Sequence, residues 1–181
     1  MRVISGSRRG RKLRSFEGEF IRPTTDRVKE SMFNLIQGEC EGAVVYDAFS
    51  GSGALGIEAV SRGASFVVCT DSDRRSVDVT AENYKMCDFS KCCEILNCDA
   101  LEYLKKTDKH FDLVFLDPPY NKGLVTPVLE ILYQRELLSP NGVIVVETDG
   151  PEDAFECSGF EVKKERKYGR TVITVLCNSR Q

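Results

Sequence analysis

The stretch that decides the fold runs Ala43-Val-Val-Tyr-Asp47-Ala-Phe-Ser-Gly51-Ser-Gly53-Ala-Leu-Gly56. It begins with a short apolar run that ends in an acid, which is typical of a buried parallel strand. The glycines that follow fit the GxGxxG pattern, which joins a strand to a helix and lets a ligand approach the backbone closely. The segment therefore predicts the first strand and helix of a doubly wound α/β fold.

Short apolar runs alternate with helical stretches on the carboxyl side of this turn. The predicted strands are Ala43–Asp47, Phe66–Asp71, Cys92–Asp99, Phe111–Asp117 and Val143–Glu147. The predicted helices are Leu55–Arg62, Arg74–Met86, Ala100–Lys106 and Leu124–Arg135, preceded by one that begins at Thr25 or Asp26 and ends before Gly38. Such alternation indicates βαβ units and a parallel sheet.

The last two predicted strands, Phe160–Arg166 and Thr171–Cys177, lie too close together for a crossover helix. They must therefore pair as an antiparallel hairpin. The whole pattern predicts a Rossmann-like α/β fold whose seven-stranded, mostly parallel sheet ends in this hairpin. We expect a single domain over residues 1–181, with residues 1–20 as a basic amino-terminal appendage.

Composition narrows the class of protein. The 181 residues are 41% hydrophobic and 29% charged, which suits one globular domain with an adequate core and disfavours disorder. No apolar run approaches the ~20 residues of a membrane helix, and the amino terminus lacks the apolar centre of a signal peptide. We therefore expect a cytoplasmic protein without a membrane partner, in which the eight cysteines are thiols.

The charge is unevenly distributed along the chain. The first 14 residues carry +6, so the remainder carries −9 of the total of −3. This asymmetry suggests a polyanionic partner, although a solvated basic tail would give the same pattern. The candidate RNA-contacting residues are Arg8, Arg9, Arg11, Lys12 and Arg14.

Acids follow or end the predicted parallel strands. They are Asp47, Asp71, Asp99, Asp117 and Glu147. One such acid is most often a helix cap, but ligands of open α/β sheets bind at this edge, where all five are expected to gather. Asp71, twenty residues beyond Gly51, is placed to hold the ribose hydroxyls of an adenosine-containing cofactor.

Electrostatics distinguishes among these cofactors. Asp47 would place a carboxylate beside the pyrophosphate of NAD or FAD, at a cost on the order of a kcal/mol or more. S-adenosylmethionine has no phosphate and carries two cationic groups, whereas its one carboxylate can rest on helix-terminal N–H groups. Asp47 therefore favours S-adenosylmethionine.

The segment Asp117-Pro118-Pro119-Tyr120 directly follows an apolar strand. Two prolines remove two N–H donors, so nearby carbonyl groups stay free to accept hydrogen bonds. The Asp117 carboxylate and the Pro118 carbonyl would accept the two N–H bonds of an amino group, and the Tyr120 ring offers a stacking face. These three are the candidate catalytic residues, and the pattern predicts a nucleobase amine as substrate.

Other chemistries are disfavoured. His110, the one histidine, lies at the opposite end of its strand from Asp117 and is too distant to act as a general base there. The cysteines form no CxxC pair, and none follows the fourth strand in a Pro-Cys step. We expect neither a metal nor a covalent cysteine intermediate.

The tetrapeptide at Asp117 resembles the signature of class I methyltransferases that act on exocyclic amino groups. The segment Arg22-Pro-Thr-Thr-Asp-Arg-Val-Lys-Glu-Ser-Met-Phe-Asn34 resembles more specifically the RsmD family of bacterial 16S ribosomal RNA guanine-N2 methyltransferases. Further similar segments are Gly10–Leu13, Phe49–Gly56, Glu58-Ala59, Ser61–Gly63, Asn83 and Asp99-Ala100. The resemblance spans nearly the whole chain.

The resemblance implies S-adenosylmethionine as cofactor and guanine N2 as target. The implied partner is 16S ribosomal RNA or the assembling 30S subunit, with no second protein subunit required. The implied cofactor contacts are Arg22, Thr24, Asp47, Phe49, Gly51, Gly53, Asp71 and Asp99. Two positions depart from the family pattern: glutamate is common at the position of Asp71, and alanine is common at the position of Ser50. Adenine-N6 methylation, a nicotinamide oxidoreductase and a noncatalytic RNA-binding module remain as alternatives.

Overall fold

The computed structural model describes residues 1–15, 26–120, 122–150 and 153–179. The helices are α1 (Asp26–Leu35), α2 (Ala54–Ser61), α3 (Arg74–Met86), α4 (Ala100–Leu104) and α5 (Val125–Gln134). The strands are β1 (Val44–Asp47), β2 (Phe66–Asp71), β3 (Cys93–Asn97), β4 (Phe111–Leu116), β5 (Leu138–Asp149), β6 (Phe160–Tyr168) and β7 (Thr171–Asn178). Within these ranges they form a seven-stranded sheet in the order β3-β2-β1-β4-β5-β7-β6, with β7 antiparallel to both neighbours. The predicted fold is confirmed.

The sheet separates two apolar layers. Alternate residues of the central strand β4 face opposite sides: Leu113 and Phe115 join the layer under α1 to α3, while Val114 and Leu116 join the layer under α4 and α5. All four are fully buried. This burial on both faces explains why the strand reads as a continuous apolar run and not as an alternating pattern.

Several strand boundaries differ from the sequence prediction, most of them by one or two residues, and the largest difference is at the start of β5. β5 begins at Leu138, five residues before the predicted start, because its first part pairs with Phe111 before a register shift in the ladder. Ser139-Pro-Asn-Gly142 reads as a turn in sequence, which hid this extension. β3 ends at Asn97, two residues earlier than predicted, because Asp99 caps α4.

The amino terminus is part of the packed domain and not an appendage. Residues 1–14, called here the N-terminal hairpin, fold back on themselves through an antiparallel bridge between Arg2 and Lys12. Val3 and Leu13 are buried in the layer under α1 to α3. This corrects the expectation of an appendage for the described part of residues 1–20.

A buried carboxylate anchors the N-terminal hairpin. Glu58 on α2 accepts hydrogen bonds from the backbone N–H groups of Ile4 (2.8 Å) and Ser5 (3.0 Å) and from Arg62 Nε (2.8 Å). It also pairs with Lys29 Nζ on α1 at 3.1 Å, and both side chains are fully buried. Burial lowers the pKa of Lys29, while the Glu58 charge opposes that shift. One side chain thus joins the hairpin, α1 and α2.

Three further features bear on the class of protein. No helix in the described ranges is long and apolar enough to cross a membrane. The eight cysteines all lie within these ranges, and no two of them form a disulfide bond. The same ranges contain no group of His, Cys, Asp and Glu side chains arranged to hold a metal ion.

Candidate active site

The site lies where the strand order reverses. β1 and β4 are neighbours in the sheet, although the chain reaches β2 and β3 between them, so a crevice opens beyond their carboxyl ends. The Ala48 N–H donates to the Phe115 carbonyl across this gap at 3.2 Å. Asp47 and Asp117 therefore enter the crevice from adjacent strands.

The glycine turn after β1 is held by the acid that ends β2. Asp71 accepts the Gly51 N–H at Oδ2 and the Asp73 N–H at Oδ1, both at 2.9 Å. Gly51 has a φ of +54°, and a Cβ there would meet nothing within 4 Å, so this part of the turn faces open space. A Cβ on Gly53 would instead lie 2.8 Å from Thr80 Cγ2. The turn is therefore packed on the α3 side and open on the other.

Helix α3 fixes the same turn from behind. Thr80 Oγ1 donates to the Gly51 carbonyl at 3.0 Å, and Asn83 Nδ2 donates to the Ser52 carbonyl at 2.8 Å. The fully buried Asn83 amide also pairs with the backbone N–H and carbonyl of Arg14, at 2.8 and 3.0 Å. Asn83 thus links the N-terminal hairpin to the glycine turn. No local pattern predicts these contacts, although Asn83 is one of the positions that resemble the RsmD family.

Asp47 is the most deeply buried acid of the crevice, with 1% of its surface exposed. Its Oδ2 accepts the Gly56 N–H at 3.1 Å. Burial raises the pKa of Asp47 to about 7, and the charges of Asp117 and Asp71 contribute to the increase. The crevice therefore concentrates negative charge and favours a cationic ligand.

We expect Asp47→Asn to stabilise the protein without cofactor, increasingly so at higher pH. A pKa raised in the folded state means that stability present at pH 4 is lost as the pH rises through about 7. The variant should lack that loss and exceed the wild type at pH 8 by about 2–4 kcal/mol. Urea unfolding at pH 5 and pH 8 measures this, with Asp78→Asn on α3 as the exposed control. Parallel pH profiles for Asp47→Asn and wild type would contradict it.

The remaining predicted cofactor residues occupy different settings. Asp99 is exposed and caps α4, its Oδ1 accepting the N–H groups of Leu101 (2.9 Å) and Glu102 (3.2 Å). Phe49 is half-buried against the layer under α4 and α5. Arg22 and Thr24 lie outside the described residues.

The predicted catalytic segment follows β4 directly. Asp117 and Tyr120 are half-buried, and Pro118 is buried. The Tyr120 hydroxyl donates a hydrogen bond to Glu147 Oε1 at 3.1 Å. Burial raises the pKa of Tyr120, and the charges of Glu147 and Asp117 raise it further. Glu147 lies within β5 and is 2% exposed. Its contact with Tyr120 could not be read from the sequence, since 27 residues separate the two.

The candidate RNA contacts spread along the N-terminal hairpin. Arg8 lies by the far ends of α2 and α3, where its N–H meets Ser61 Oγ (3.0 Å) and its Nε meets the Cys87 carbonyl (2.8 Å). Arg14 pairs with Glu82 at 2.6 Å. The exposed members are Arg9, Arg11, Lys12 and Arg14. Arg8 is therefore partly structural and lies away from the strand ends that form the crevice.

Comparisons with known proteins agree with this geometry. A family model described as "Conserved hypothetical protein 95" matches residues 1–177. The "Putative rRNA methyltransferase YlbH" of Bacillus subtilis is 36% identical over 97% of both chains. "Ribosomal RNA small subunit methyltransferase D" of Haemophilus influenzae is 36% identical over 93% of this chain and 89% of its own. A solved structure of "Putative methyltransferase yhhF" from Escherichia coli superposes with a TM-score of 0.89 at 27% identity, covering 100% of this chain and 99% of the other.

The sheet order, the glycine turn and the acidic crevice define a class I methyltransferase. The chain belongs to the RsmD family, as its motifs predicted. The methyltransferase family and fold imply the use of S-adenosylmethionine in general. These findings favour a methyltransferase over the nicotinamide oxidoreductase that the glycine pattern left open.

The residues present fit S-adenosylmethionine. Ser50 Oγ is buried in the glycine turn and has no hydrogen-bond partner within the described part of the chain. Gly51 leaves the neighbouring backbone open, and Asp47 is a buried acid that a cationic ligand would stabilise in its charged form. A polar, cationic ligand without phosphate suits all three observations.

Proposed function

We propose that the protein transfers a methyl group from S-adenosylmethionine to the exocyclic N2 amino group of a guanine in small-subunit ribosomal RNA. The observation that carries the proposal is Asp117-Pro118-Pro119-Tyr120 at the end of β4, beside the acidic crevice of the topological switch point. The names of the relatives support the RNA substrate, and the family resemblance supports guanine over adenine.

In this proposal Asp117 and Pro118 orient the amine. Their carboxylate and carbonyl oxygens accept its two N–H bonds, which turns the nitrogen lone pair away from the ring and toward the donor. S-adenosylmethionine, when bound, supplies an electrophilic methyl group on a sulfonium. The methylated nitrogen then becomes acidic and loses its proton without a strong base.

Tyr120 supplies the stacking face for the target base. A base must leave its own stack to enter the crevice, which costs a few kcal/mol, and stacking on an aromatic ring returns about 1–3 kcal/mol. The hydrogen bond to the buried Glu147 holds the Tyr120 ring before substrate arrives. Pre-orientation of this kind lowers the entropic cost of the transition state.

The cofactor assignment gives a direct test at Asp71. We expect Asp71→Ala to weaken binding of S-adenosylmethionine by about 1–3 kcal/mol, since charged hydrogen bonds to the ribose disappear and the Gly51 N–H loses its partner. Asp71→Glu keeps a carboxylate, in the form of the residue that is common in the family, and should bind S-adenosylmethionine nearly as well as the wild type. Asp73→Asn keeps the helix cap and serves as the neighbouring control. Calorimetry with equal affinities for Asp71→Ala and the control would refute this placement.

The N-terminal hairpin supplies sequence-independent affinity for RNA in this proposal. Removing residues 1–14 would expose the core that Val3 and Leu13 fill, so substitution of exposed cations is the sharper experiment. We expect Arg9→Gln/Arg11→Gln/Lys12→Gln to weaken RNA binding and to reduce its salt slope by about 2, because each lost phosphate contact removes about 0.7. Identical slopes for variant and wild type would mean that the hairpin cations only solubilise the protein.

The size of the domain bears on how the base is presented. The described residues provide one catalytic crevice and no separate recognition domain, so few nucleotides can be specified by direct contact. An assembled or assembling 30S particle could hold an unstacked guanine against a shape that the enzyme recognises. We therefore propose that a single chain acts on a ribosomal particle in preference to naked RNA.

A further inference from the structure

A second basic segment lies at the carboxyl-terminal hairpin. Lys163-Lys164-Glu165-Arg166-Lys167-Tyr168-Gly169-Arg170 contains five basic residues and one acid, for a net charge of +4. Since residues 1–14 carry +6 and the whole chain carries −3, everything outside these two segments carries −13. Two segments therefore carry a positive net charge in a chain whose remaining residues are strongly acidic in sum.

The sheet topology brings the end of this segment to the catalytic edge. β7 is antiparallel to β5, so the β6–β7 turn lies beside the carboxyl end of β5. Thr171 pairs with Asp149 on one side and with Tyr168 on the other, and Arg170 Nη2 lies 3.4 Å from Asp149 Oδ2. The N-terminal hairpin, by contrast, places Arg8 at the far ends of α2 and α3.

The strand register relates this segment to Tyr120. Glu147, which holds the Tyr120 hydroxyl, pairs with Ile173, and Ile173 pairs with Arg166. Paired residues project to the same face of a sheet, and two strand spacings span about 10 Å. Arg166 thus shares a face with Glu147 and lies about 10 Å from the residue that orients the stacking ring.

The cations at the turn end differ from those farther along β6. Lys163 pairs with Glu39 and Lys164 donates to the Leu35 carbonyl, so both are tied to the region around the end of α1. Arg166 and Lys167 are exposed on opposite faces of the edge strand β6, and Arg170 retains 68% side-chain exposure in the turn beside Asp149. Charged side chains on an edge strand, lysine especially, often serve to prevent edge-to-edge pairing, but Arg170 lies in the turn and outside the strand. The excess of one sign, continued into the turn at Arg170, points to an anionic partner.

We propose that Arg166, Lys167 and Arg170 bind the backbone phosphates of RNA nucleotides that flank the target base. The inference rests on the proposed RNA substrate and adds the surface that holds the strand at the reaction edge. Phosphate contacts fix the register and orientation of a nucleic acid without reading its sequence. The exposed cations of the N-terminal hairpin would then bind RNA on the α2 and α3 side of the crevice, and the two segments would span the substrate.

The test compares two triple variants with the same change in charge. Arg166→Gln/Lys167→Gln/Arg170→Gln alters the proposed surface. The control, Lys105→Gln/Lys106→Gln/Lys109→Gln, alters three cations in the connection between α4 and β4, at the amino ends of the strands. Methyl transfer and binding are measured with small-subunit ribosomal RNA and 30S particles at several salt concentrations. We expect the first variant to raise the KM for RNA at least about fivefold and to reduce the salt slope by about 2, with unchanged affinity for S-adenosylmethionine. The control should match the wild type in its KM for RNA, its salt slope and its affinity for S-adenosylmethionine.

The outcomes separate this inference from the proposed function. If the wild type transfers methyl groups to RNA and both variants have equal KM values and salt slopes, the surface does not bind phosphate. If the wild type methylates neither RNA substrate, the proposed function itself fails. Should the first variant unfold at a lower temperature than the control, the single substitution Lys167→Gln replaces it, with an expected reduction of the salt slope of about 0.7.

Discussion

We expect Asp117→Ala to bind S-adenosylmethionine nearly as well as the wild type while its kcat falls by about 10³-fold. The proposed hydrogen bond from the target amine ends on this carboxylate, so its loss removes an interaction that orients the nitrogen lone pair. The Pro118 carbonyl remains as one acceptor and should leave measurable residual turnover. Multiple-turnover methyl transfer at saturating RNA and cofactor measures kcat, and calorimetry measures cofactor affinity.

Asp108→Ala is the matched control, because Asp108 is an exposed acid paired with Arg135 outside the crevice. It should retain the kcat of the wild type. A kcat for Asp117→Ala within a few fold of the control would remove Asp117 from the mechanism. A parallel loss of cofactor binding would instead place Asp117 in the cofactor site.

The largest effect on stability is expected at Glu58. Glu58→Gln should lower the free energy of unfolding by about 3–5 kcal/mol, because it breaks a buried ion pair and leaves Lys29 without its counterion. The substituted amide also turns N–H groups toward one of the donors at Ile4 and Ser5. Urea unfolding at pH 7 measures the change, and we expect the variant to lose RNA affinity as the N-terminal hairpin detaches.

Glu102→Gln provides the comparison for this prediction. Glu102 pairs with Lys105 and Lys106 on an exposed face, where water replaces the lost contacts. The urea midpoint of the Glu102→Gln variant should therefore stay close to that of the wild type. An equal, small effect at Glu58 would show that the buried cluster does not anchor the hairpin.

Much of the fold can be predicted from local sequence patterns. The glycine turn after Asp47, the alternation of apolar runs and helices, and the short connection before Thr171 each reflect rules that act within a few residues. They predicted that the sheet is mostly parallel and that it ends in an antiparallel hairpin. The same rules failed at the start of β5, where the pairing with Phe111 outweighs a turn-like sequence.

Parts of the candidate site depend on contacts between distant residues. Glu58 stands in an apolar helix where nothing nearby indicates that its partners are Lys29 and the backbone of residues 4 and 5. Asn83 meets Arg14 across 69 residues, and Tyr120 meets Glu147 across 27. Single-sequence patterns carry no information on such pairs, so the N-terminal hairpin was expected to be an appendage and the Tyr120 contact was missed.

The most direct test of the account is to identify the methylated nucleoside. Purified protein is incubated with labelled S-adenosylmethionine and, separately, naked 16S RNA, 30S particles, 23S RNA and DNA, and each product is digested to nucleosides. We predict that the label is recovered as N2-methylguanosine from small-subunit RNA, with 30S particles as the better substrate. Label recovered as N6-methyladenosine, or found only in DNA or 23S RNA, would contradict the account.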